Sequence, residues 1–188
     1  MTYFAAAVMR GAGGWSGSEI DLDGADGVDE VAERLREIDP DAELSLLLVE
    51  VEDEFLAIVR VDAGDEARVF VSDAGFAAES KVGEMLIADL ERVSLGGFAD
   101  DGGAEPGEDP GESAEDEEVD HAVEDDLTGG VETDGDPVGD PDLLSDLGTS
   151  AKDLLVMCAH EGTLPADVLT TVCERAGCGP VLEELREA

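Results

Sequence analysis

Between Asp100 and Asp142 the chain has no lysine, no arginine and no aromatic residue. Phosphate recognition needs clustered Lys and Arg, and all 188 residues together hold only 10 of them. Direct nucleic-acid binding is therefore not expected, nor is adsorption to an anionic membrane surface. No run approaches the roughly 18 apolar residues that a membrane-spanning helix requires. The opening Met1-Thr2-Tyr3-Phe4-Ala5 lacks a basic stretch followed by a long apolar run, so no signal peptide is expected. Cysteine is scarce: Cys158, Cys173 and Cys178 are an odd number near the C-terminal end. They do not form a disulfide framework, and a reducing cytoplasm is the expected compartment.

What fills the gap is acid. Residues 100–142 hold nineteen Asp and Glu, eight Gly and four Pro. Almost half of the net charge of −40 sits in that tract. Glu115, Asp116, Glu117 and Glu118 are adjacent, well inside a Debye length of about 8 Å at physiological salt. A helix there would stack like charges at i,i+3 and i,i+4, each costing a few tenths of a kcal/mol. Too little apolar surface is available to offset the entropy of ordering, so the tract is expected to be a disordered, solvated linker. Its acidity favours solubility and a basic protein partner. A halophilic source would also raise acidity, although the acids are concentrated rather than spread.

The flanks differ from the tract. Thr2–Arg10 and Trp15–Leu22 read as strands joined across Gly11-Ala12-Gly13-Gly14. Val28, Val31, Ala32, Leu35 and Ile38 recur at helical spacing, with Asp39-Pro40 as the stop. Leu44–Val51 and Phe55–Val61 are apolar on both pleat faces, as in strands covered on two sides. Arg68–Val71 adds a fifth strand. Ser72 or Asp73 can cap a helix reaching about Leu90, with Gly83 as a candidate break. The fold class is α+β: an N-terminal, mostly antiparallel sheet domain with two helices over 1–95, the linker over 96–142, and a small helical module over 143–188.

In the module, Thr149 or Ser150 caps a first helix with the stripe Leu154, Leu155, Cys158 and Ala159. Pro165 opens a second helix with Leu169, Val172, Cys173 and Ala176, closed by Gly177. A third runs from Pro180 to Arg186. Some 46 residues without staples are marginal alone. The module is therefore expected to dock on something: the N-terminal sheet, a second copy of the chain, or another protein. For the external case, Leu143, Leu144 and Leu147 are the candidate partner contact.

Chemistry-bearing patterns are weak throughout. Gly11–Gly17 misses the dinucleotide fingerprint, because Ser16 occupies the third glycine position and a strand follows. Asp21–Asp26 has the outline of a calcium loop, but Ala25, Asp26 and Ala32 stand where a ligand, glycine and glutamate are needed. Cys158, His160, Cys173 and Cys178 are the soft-ligand residues, without zinc-site spacing. His160 is the plausible base, since His121 falls in the acidic tract. No catalytic, cofactor-binding or metal-ligating residue is assigned, and no cofactor is expected.

Several whole segments carry a likeness. They are YFAAAVMR at Tyr3–Arg10, WSGSEIDL at Trp15–Leu22, FLAIVRVD at Phe55–Asp62, RVFVSDA at Arg68–Ala74, and the stretch Asp140–Leu169. In these the chain resembles an actinobacterial family of tRNA adenosine deaminase-associated proteins. The resemblance implies a non-enzymatic accessory protein whose partner is a tRNA adenosine deaminase. The chain is not that deaminase. A zinc deaminase needs His-x-Glu and Pro-Cys-x-x-Cys to hold zinc and move protons, whereas Glu161 directly follows His160 and no Cys-x-x-Cys exists. The competing expectation is an acidic nucleic-acid mimic that occupies a basic groove and regulates its owner.

Overall fold

The computed structural model describes residues 3–96, 135–160 and 162–187. The nineteen-acid tract, apart from its last eight residues, lies outside the described residues, and so does His121. Strands β1 (Tyr3–Gly11) and β2 (Gly14–Glu19) form the expected hairpin, followed by α1 (Val28–Ile38). Then come β3 (Leu44–Val51), β4 (Phe55–Asp62) and β5 (Arg68–Val71). Helices α2 (Ala74–Glu79) and α3 (Lys81–Gly96) end the first part. After the tract come β6 (Val138–Gly139), a 3-10 helix (Pro141–Leu147), α4 (Ala151–Ala159), α5 (Pro165–Ala176) and α6 (Gly179–Glu187).

The strands make one antiparallel sheet in the order β2-β1-β3-β4-β5-β6. Side chains alternate across it with period two, and the two faces have separate cores. Ala5, Ala7, Leu47, Val49, Phe55, Ala57, Val59 and Val71 face α1 and α3, meeting Val31, Leu35 and Leu86. Ala6, Val8, Leu44, Leu46, Leu48, Leu56, Ile58 and Phe70 face the other way. Their partners are Leu143, Leu144, Leu147, Leu154, Leu169, Val172 and Leu182 from the C-terminal helices. Continuous apolar runs such as LSLLLVEV arise from this two-sided cover.

Three expectations change. The N-terminal part has three helices rather than two, because the chain breaks at Ser80 between α2 and α3. Asp73 caps α2, its carboxylate accepting from Phe76 N at 2.9 Å. Residues 136–139, expected within the linker, belong to the sheet region: Ala74 N donates to Asp136 O, and β6 pairs with β5. Finally, Leu143, Leu144 and Leu147 are buried against the sheet. The expected apolar edge for an outside partner is not free at these positions, since the sheet's own second face covers it. Among the alternatives for the helical module, these contacts are those of docking on the sheet.

Candidate functional site

Two charged residues interrupt the apolar face beneath the C-terminal helices, and both are engaged from above. Arg60 on β4 is buried, although the strand alternation aims it at the core. Its Nε and Nη2 donate to the two Asp62 oxygens, each at 2.8 Å. Nη1 donates to Leu143 O at 2.7 Å and to Asp146, and Nη2 reaches the second Asp146 oxygen at 3.0 Å. One guanidinium thus ties a strand to the 3-10 helix through its full fork of donors. Asp146 hydrogen bonding holds Arg60 above its usual range, and Arg60 holds the Asp146 carboxyl below the ordinary carboxylate range. Arg68 extends the cluster to Asp140 at 3.2 Å.

Glu50 on β3 is the other interruption. Arg186 of α6 donates to it at 2.7 Å and to Thr170 Oγ1 at 3.0 Å, and lies 5.7 Å from the Phe4 ring centroid. Register puts Glu50 opposite Leu56 and Arg60 opposite Leu46, so the two anchors sit toward opposite ends of the β3–β4 ladder. A lone charge within an apolar strand was the sequence signal for both. Its significance was hidden because the partners lie 86 and 136 residues further along the chain.

Other arginines of the chain are engaged as well. Arg10 stacks 5.7 Å from the Trp15 ring centroid, Arg34 pairs with Glu30, Arg36 donates to Asp65 O, and Arg175 approaches Asp153 at 3.5 Å. With Arg60, Arg68 and Arg186, seven of the chain's ten Lys and Arg engage a carboxylate, a backbone carbonyl or an aromatic ring.

The residues singled out for chemistry do not assemble into a reaction centre among the described residues. Ser16 and Gly17 lie on β2, and Gly17 runs under Val181 and Leu185 of α6. Asp21 accepts from Asp23 N at 2.8 Å and so closes its own loop. Cys158 is half-buried, its thiol pushed up to about 11 by burial. Cys173 and Cys178 are buried together where α5 meets α6, and Cys178 N donates to Cys173 O at 2.8 Å. Their hydrogen-bonded thiols raise Cys173 above its ordinary value. His160 ends α4, and its carbonyl accepts from Thr163 N. No group of three His, Cys, Asp or Glu among the described residues could hold a metal ion. A shallow cleft of about 220 Å³ gathers Arg36, Asp39, Ser45 and Asp62, without a His, Cys or Lys. No helix among the described residues is long and apolar enough to cross a membrane.

What the structure does leave uncovered is apolar. Leu155 and Val156 on α4 and Leu164 just before α5 are exposed, as are Ile38 and Phe76 elsewhere. Leu155 and Ala159, expected in the module's core stripe, face outward instead. Leu154 alone of that helix is fully buried.

A family model described as Rv3753c-like tRNA adenosine deaminase-associated protein matches residues 3–179. Neither a curated protein nor a solved structure matches the chain.

Proposed function

Since the chain belongs to the Rv3753c-like tRNA adenosine deaminase-associated protein family, we propose that it is a non-catalytic accessory protein that binds a tRNA adenosine deaminase in the cytoplasm. The observation that carries this reading is the family match over nearly the whole chain, whose description names association with the deaminase rather than the deamination itself. The absence of His-x-Glu and Cys-x-x-Cys from the sequence agrees with it. The chemistry of the partner agrees as well. A protein that handles tRNA must offer Lys and Arg to phosphates, and a chain of net charge −40 complements such a surface.

Size-exclusion chromatography of the purified chain mixed with the tRNA adenosine deaminase of the same organism tests it. The expected result is a co-eluting complex that weakens as salt rises. Separate elution at both low and physiological salt overturns the proposal. The nineteen acids without a base favour a second reading, in which the tract mimics a nucleic acid. That reading requires tRNA to compete for the partner, and it requires deletion of residues 100–134 to abolish binding. The deletion stops at 134 because Asp136 and β6 belong to the sheet region.

A further inference from the structure

Helix α4 is the outermost element of the C-terminal layer. It packs on the 3-10 helix and on α5, with Leu154 fully buried in the core and Met157 and Cys158 partly buried against it. Lys152, Leu155, Val156 and Ala159 are all exposed. Their spacing of i, i+3, i+4 and i+7 places them on one face of the helix. Leu155 is 37% exposed, Val156 57%, and Leu164 at the start of α5 43%. Three of the five large exposed apolar side chains among the described residues thus fall within ten positions. Single exposed apolar residues are ordinary, whereas a clustered set rimmed by polar residues marks a contact surface.

The occupant is constrained by charge. Helix α4 and the two elements it packs on carry the exposed carboxylates Asp153, which also meets Arg175 at 3.5 Å, Asp167 and Asp142, with Lys152 exposed on α4 as well. A second copy would bring together two chains of net charge −40, which repel. The chain's own acidic tract carries no base to answer these carboxylates. An amphipathic segment whose apolar side is flanked by Lys and Arg answers both features. It would lay Leu, Ile or Phe across Leu155 and Val156 and set its cations against the carboxylates.

We infer that the outer face of α4, with Leu155, Val156 and Ala159 at its centre and Leu164 beside it, is the docking surface for a basic amphipathic segment of the tRNA adenosine deaminase; the identity of the partner rests on the functional reading above. This places the contact on the opposite side of the C-terminal layer from Leu143, Leu144 and Leu147, which hold that layer to the sheet. The layer is then bifunctional. One side completes the core, and the other presents a small apolar face on an acidic body.

The test is a titration of the purified full-length chain against the purified deaminase by isothermal calorimetry. It uses wild type, Leu155→Asp/Val156→Asp, the milder Val156→Ser, and Ile38→Asp/Phe76→Asp as a control at exposed apolar positions elsewhere. Circular dichroism and thermal melts establish that each variant is folded. The expected result is at least a tenfold weaker affinity for the double α4 variant, a smaller loss for Val156→Ser, and unchanged affinity for the control. If wild type binds and both α4 variants bind equally well, the surface is wrong while the functional reading stands. If wild type does not bind the deaminase, that reading fails and the proposal, which names this partner, fails with it. If light scattering finds a wild-type dimer that Leu155→Asp/Val156→Asp turns into a monomer, the face is a self-contact and the proposal is overturned.

Discussion

Arg60 shows how a charge can be buried in this chain without being orphaned. Burial opposes its ionisation, and four carboxylate oxygens and a carbonyl offset that cost. The cluster is asymmetric: the Arg60 side chain is 7% exposed and that of Asp146 54%. Water therefore screens the carboxylate end, and the pair is worth about 1 kcal/mol rather than the several kcal/mol of a fully buried one. The Asp146 carboxyl lies below its ordinary value of 3.8 in the folded chain. Its contribution is thus fully present above that value and is lost as the pH falls through the lower, folded value. Replacing Asp146 by Asn should destabilise the protein by about 1 kcal/mol at pH 6–7, and the difference from wild type should shrink below about pH 4. Urea titrations across that range read both quantities; a gap that stays constant down to pH 3 would refute the assignment. Arg60 was visible in the sequence as the one base in FLAIVRVD. What it binds was not, because strand alternation fixes a side chain's face but not the element that covers it.

At the level of elements, β3, β4, β5 and α1 were legible nearly to the residue. Their boundaries coincide with strong local punctuation: Asp39-Pro40 after α1 and Glu52–Glu54 between β3 and β4. Gly177 likewise stops α5 as expected, adopting φ +86, which a residue with a Cβ resists. The 3-10 helix and β6 escaped notice because they begin inside an acidic, proline-rich stretch whose average composition argues against order. Two residues of strand and one short turn leave no periodicity to read. The sequence predicts the helix after Asp73, with Gly83 as its candidate break. The break falls at Ser80 instead, and Gly83 serves a different purpose. A Cβ there would lie 2.5 Å from Ala77 Cα and nearer still to the Ala77 carbonyl oxygen, so only glycine lets α3 fold back so closely on α2. Gly83→Ala should therefore destabilise the chain by about 1–3 kcal/mol despite the higher helix propensity of alanine. A denaturation midpoint equal to or above that of wild type would show that the two helices are not in contact there.

Over the whole molecule, the sequence was read as two folded parts with acid between them, and the structure adds how they meet. The second apolar face of the sheet and the stripes of the C-terminal helices each lack cover in isolation, and each supplies it to the other. Composition could reveal that both were incompletely covered, but not that they fit each other, since the alternative of an outside partner has the same local signature. With Leu143, Leu144 and Leu147 committed to the sheet, the proposed partner contact falls to surfaces such as α4. The central claim is thus that the helices from Pro141 onward form the third layer of one cooperative fold. Native-state amide hydrogen exchange on the full-length chain tests it most directly. The account predicts that amides of α5 share the slowest exchange class with β1, β3 and β4, all opening with the same free energy, because they bury a common core. Fast exchange throughout α5 and α6 alongside a slowly exchanging sheet would contradict it.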